Sequence, residues 1–73
     1  MTFTVKSHKG DHHYITMEST VRHGIPVYIV SAYSIPSERE SDIIGLLERE
    51  MVYPYSQKKN ALAAFNRYKR KYT

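Results

Sequence analysis

Three histidines crowd one short stretch, His8, His12 and His13, with Asp11 between them. Imidazoles and a carboxylate at such spacing are the raw material of a zinc site, which takes four tetrahedral ligands. In a hairpin closed at Lys9-Gly10-Asp11, His8 and His12 face each other while His13 points to the opposite face. Two nitrogens with Asp11 in the turn make a poor ligand set, so no metal is expected. The carboxylates Glu38, Glu40, Glu48 and Glu50 alternate with arginines, as solvated faces do. No cysteine is present, which removes thiolate nucleophiles, disulfides and thiolate metal sites. A glycine-rich phosphate loop and a nucleophile elbow are both missing, and nothing orders a serine and a histidine into a triad. So short a chain also has little room for a water-excluding cavity. The expectation is a non-enzymatic protein with no cofactor and no small-molecule substrate.

Binding chemistry is better represented. The cations Lys58, Lys59, Arg67, Lys69, Arg70 and Lys71 all fall after Pro54, where there is no acid. Residues 36–53 just before it carry the acids Glu38, Glu40, Asp42, Glu48 and Glu50 against Arg39 and Arg49 alone. This asymmetry fits a polyanionic partner, and it equally fits an acidic segment lying beside a basic helix in one fold. Tyrosine is in excess, with seven in 73 residues. It is enriched in interface hot spots and can stack on bases. Tyr33, Tyr68 and Tyr72 suit a small core with wet hydroxyls. Tyr14 and Tyr28 are expected on the sheet face away from the main apolar set, as surface aromatics.

The elements that must carry these groups can be read in order. Residues 2–8 alternate polar and apolar, and His12–Val21 is rich in β-branched and aromatic residues; both read as strands. A loop at Lys9-Gly10-Asp11 pairs Val5 with Ile15 and Phe3 with Met17. Arg22-His23-Gly24 is the next turn, and Ile25–Ser34 the strongest strand, with Pro26 tolerated at its start. A three-residue turn there pairs Val21 with Ile25 and Met17 with Ile29. The common apolar face is then Phe3, Val5, Ile15, Met17, Val21, Val27 and Ile29, with Tyr33 at its end. Tyr28, Val30 and Lys6 go to the mixed face.

Residues 38–50 fit either a helix or a fourth strand. Ser37-Glu38-Arg39-Glu40 matches a capping box, and Ile43, Leu47 and Met51 recur every four residues. Glu50-Met51-Val52-Tyr53 alternates as a strand does, and Pro54 ends either element. Ser56 is the candidate N-cap of a last helix. On it Ala61, Phe65, Tyr68 and Tyr72 share one narrow sector, with Ala64 and Leu62 at the margins. Lys59, Asn66, Arg67 and Arg70 lie opposite.

Ser56-Gln57-Lys58-Lys59-Asn60-Ala61 with Ala63-Ala64 resembles the opening of the last helix in double-stranded-RNA-binding domains. There the helix N-terminus meets phosphate behind a three-stranded antiparallel sheet. The resemblance covers only residues 56–64. The first helix of that family has no counterpart, and Leu62 stands where a further basic residue is expected.

The expected architecture is a single α+β domain over residues 1–73: an antiparallel β-meander of three or four strands with a C-terminal amphipathic helix packed on one face. Cysteine-free composition fits a cytoplasmic setting, and no apolar run is long enough for a membrane span. The composition is also that of many small phage and mobile-element accessory proteins. Function is expected through a macromolecule, first a protein partner or self-association. The alternative is nucleic-acid backbone binding through Lys58, Lys59, Arg67, Arg70 and Lys71.

Overall fold

A computed structural model of the chain describes residues 2–34 and 46–72. The chain forms β1 (Phe3–Lys9), β2 (His13–Arg22), β3 (Ile25–Ser34) and β4 (Leu46–Pro54), then a 3-10 turn (Tyr55–Gln57) and α1 (Lys58–Tyr72). The strands make one antiparallel sheet in the order β1-β2-β3-β4, an α+β meander, and α1 lies across β2, β3 and β4. The described part of the ambiguous segment is therefore a strand. The capping-box residues 37–40 lie outside the described residues. Ser56 falls inside the 3-10 turn rather than capping α1.

The registers differ from expectation, and the turns explain why. Gly10 N–H donates to the His13 carbonyl at 2.8 Å, and the first ladder then pairs Lys9 with Tyr14, His8 with Ile15 and Lys6 with Met17. A bulge at Val5 shifts the register, so Phe3 pairs with Ser19. The second hairpin closes through two residues, His23 and Gly24, with φ of 53° and 77°. Positive φ at both central residues is what a type I′ turn requires, and its twist matches that of the flanking strands. Arg22 therefore pairs with Ile25, and Met17 with Val30. A slip of one residue turns every β3 side chain over. Tyr28, Val30 and Ala32 face the helix, and Val27 and Ile29 face the other way.

The core under α1 is Ile15, Met17, Tyr28, Val30 and Ala32 from the sheet with Ala61, Ala64, Phe65 and Tyr68 from the helix. Tyr53, Leu62 and Tyr72 pack at its edge. The helix face follows the spacing read from sequence. Alanines at 61 and 64 let the helix backbone approach the sheet, and Phe65 fills the space beside them. Burial pushes the Tyr68 hydroxyl above its ordinary range, against the opposing pull of Arg49, which hydrogen-bonds it.

The outer face also buries side chains, namely Val27, Ile29, Thr16 and Ser31. Arg22 lies opposite Ile25 and Glu50 opposite Ser31, so they stand six positions apart along β3, about 20 Å in a flat strand. Yet Arg22 Nη2 is 3.8 Å from Glu50 Oε2. The β2–β3 hairpin must curl over the outer face to close that gap, as a strongly twisted sheet permits. The outer face is thus concave at this end, and the helix side convex.

Two stability predictions arise here. No atom lies within 4 Å of where a Cβ on Gly24 would sit, so a side chain there meets only backbone strain. Gly24→Val is expected to cost about 1–3 kcal/mol, and Gly24→Asn distinctly less, because asparagine tolerates positive φ. Equal melting temperatures for the two variants would refute the turn assignment. Thr16 is 4% exposed, and its Oγ1 has no hydrogen-bond partner among the described residues. Thr16→Val keeps the branched shape and removes an unsatisfied hydroxyl, so a gain of about 1 kcal/mol is expected in denaturant unfolding. A loss of stability would mean that the hydroxyl is satisfied.

Candidate polyanion-binding surface

Lys58 and Lys59 open α1, and Lys69, Arg70 and Lys71 close it, where the helix dipole favours cations. No acid occupies its first turn, so the positive end of the dipole adds to Lys58 and Lys59 instead of being offset. Packing of the Ala61–Phe65–Tyr68 stripe against the sheet turns Lys59, Arg67 and Arg70 to solvent. Lys59 and Arg70 are separated by a rise of about 16 Å, a surface long enough to meet several phosphates. The Arg67 guanidinium lies 5.9 Å from the Tyr68 ring centre and the Lys71 ammonium 5.4 Å from that of Tyr72, which steadies both cations at the margin of the apolar stripe.

The acids of β4 look elsewhere. Glu48 Oε2 is 3.6 Å from His13 Nε2, and Glu50 reaches Arg22. Among the described residues no carboxylate pairs with Lys58, Lys59, Arg67, Arg70 or Lys71. The basic face of α1 is therefore not neutralised by Glu48 or Glu50.

The tyrosines divide differently from expectation. Tyr28 is 9% exposed and belongs to the core, stacked on Tyr55 with ring centres 4.5 Å apart. It is a core residue because the two-residue turn set β3 the other way round. Tyr14 does lie on the outer face, half-buried, with its ring 6.3 Å from Tyr33. The two do not form one surface. The histidines separate as well: His8 is half-buried on the helix side, His12 exposed, and His13 packed 5.1 Å from the Tyr72 ring. Among the described residues no group of three or more His, Asp or Glu is placed to hold a metal ion.

Lys6 lies on the face opposite to expectation, and the contacts of Tyr55 had no counterpart in the sequence reading. The actual register puts Lys6 on the helix side, its ammonium 5.6 Å from the Phe65 ring centre. Tyr55 follows Pro54 directly, and only the placement of the 3-10 turn shows which ring it meets.

The fold is an α+β module, and among the described residues no carboxylate pairs with Lys58, Lys59, Arg67, Arg70 or Lys71 on its helix. Comparison with protein-family models, with curated proteins and with solved structures finds no match. No helix among the described residues is long and apolar enough to cross a membrane.

Proposed function

We propose that this protein is a non-enzymatic module that binds nucleic acid through its phosphate backbone, using the outward face of α1. The observation that carries this reading is the exposed set Lys58, Lys59, Arg67, Arg70 and Lys71, while Glu48 and Glu50 are engaged by His13 and Arg22. A solvent-facing cationic stripe on a rigid helix concentrates polyanions and fixes their position without reading bases. The protein-partner reading is weaker, since Tyr28 is in the core and Tyr14 rests on Tyr33.

The test is fluorescence anisotropy with labelled single- and double-stranded oligonucleotides across a salt series. Binding is expected at low salt, with a log–log slope of about −0.7 to −0.9 per phosphate contacted. A wild-type chain that binds neither form at low salt excludes the reading. Recovery of a protein partner whose binding survives high salt would replace it.

A further inference from the structure

We infer that the convex end of the helix-side face, built on Tyr55 and Phe3, is a base-stacking platform for single-stranded nucleic acid. The inference rests on the phosphate-binding reading of α1 and adds to it the form of nucleic acid engaged.

Tyr55 is held at two points. One face of its ring stacks on Tyr28 at an interplanar angle of 17°, and its hydroxyl is hydrogen-bonded to Ser19 Oγ. The residue is nevertheless 43% exposed, which leaves the second ring face open. A ring already immobilised in this way loses little freedom when a base settles on it. Phe3 pairs with the same Ser19 across the β1–β2 ladder, so the two side chains share one face and flank one residue. Phe3 is 59% exposed, far more than folding requires of a phenylalanine. Two exposed aromatic side chains that flank one residue suit two bases of a strand whose bases are unpaired.

Charge around the rings matches the backbone of such a strand. Lys6 lies on the same face, opposite Met17, one side-chain repeat or about 7 Å along β2 from Ser19. Lys58 opens α1 three residues after Tyr55. The acids Glu18 and Glu50 pair with Thr4, Ile29 and Ser31 and so project from the outer face, away from the rings. Aromatics set beside cations, with carboxylates on the far side, form the combination that binds single strands with little sequence preference. A duplex keeps its bases stacked on each other and would meet only the cations.

The experiment compares a short oligothymidylate with an abasic phosphodiester of equal length, which keeps the phosphates and removes the bases. The wild type is expected to bind the thymidylate about tenfold more tightly or better. Phe3→Ala and Tyr55→Leu should each weaken thymidylate binding by roughly five- to a hundredfold and leave the abasic strand unaffected, whereas Tyr55→Phe should retain the preference. Both positions are exposed, and circular dichroism serves as the check that the variants are folded. If the two strands bind equally and the variants change neither, the platform is overturned while the phosphate reading of α1 stands. If neither strand binds at low salt, the phosphate reading falls, and the platform with it. If the chain self-associates and Phe3→Ala dissolves the dimer, the rings are an interface between copies and the platform is overturned.

Discussion

Phe65→Ala is expected to remove about 3–5 kcal/mol of folding stability. Phe65 is 2% exposed at the centre of the helix–sheet contact, with Ala61 and Ala64 on its own helix and Ile15, Met17 and Val30 in the core cluster beneath. The alanines leave no long side chain that could swing into the space, so the cavity stays open and its walls lose their contacts. A domain of this size has roughly 4–11 kcal/mol in total. The variant should therefore melt about 15 °C or more below the wild type, given about 4–8 °C per kcal/mol in small domains. Leu62→Ala serves as the control, because Leu62 is only partly buried at the edge of the same core. A Phe65→Ala chain that melts no lower than Leu62→Ala would show that α1 is not docked as described.

Arg67→Glu combined with Arg70→Glu is expected to weaken nucleic-acid binding by about a hundredfold or more at low salt without unfolding the chain. Both side chains are exposed, and although Arg67 borders the Tyr68 ring neither fills the core, so their replacement leaves the core packing in place. Each arginine that contacts phosphate contributes about 1.5–3 kcal/mol as a charge-assisted hydrogen bond, and the two new carboxylates add repulsion. The salt slope should flatten by roughly two contacts as well. Replacement of the same arginines by lysine keeps the charge and should preserve most of the binding. Unchanged binding in the double-glutamate variant would move the phosphate site off this face.

These two outcomes separate what the residues announce from what the fold arranges. The stripe Ala61–Phe65–Tyr68–Tyr72 is visible in the chain because a helix repeats every 3.6 residues and only one side of it can be buried. The same periodicity exposes Lys59, Arg67 and Arg70, so the candidate surface on α1 is legible in the sequence itself. The first three strands were legible too, from alternation and β-branched residues bounded by turn chemistry, with the first two read one residue early, as 2–8 and 12–21.

Register was not legible. In Ile25–Ser34, Val27 and Ile29 alternate with Tyr28, Val30 and Ala32, so both faces are apolar and the pattern has no inside. Loop length then decided which set met the helix. Arg22-His23-Gly24 reads as a three-residue loop when histidine is assumed to keep negative φ. The chain instead places His23 in the left-handed region with Gly24, and the hairpin closes one residue tighter. That single step moved Tyr28 from the surface to the core and gave Tyr55 a ring to stack on. The bulge at Val5 and the shifted first turn brought Lys6 to the helix side. In β4 the four-residue recurrence of Leu47 and Met51 competed with the alternation of Glu50-Met51-Val52-Tyr53, and pairing with β3 settled it.

Composition and local periodicity by themselves determined the class of fold, the buried stripe of the last helix and the sign of its outer face. Each of these depends on residues close together in the chain. Which face of β3 the helix covers, where Glu48 and Glu50 find their partners, and how Phe3 and Tyr55 come to flank Ser19 were decided only by tertiary structure. They depend on backbone angles at two turn residues and on two register shifts, one at Val5 in β1 and one at Glu48 in β4. A one-residue change there reverses every side chain beyond it, and no pattern within a single strand records that choice.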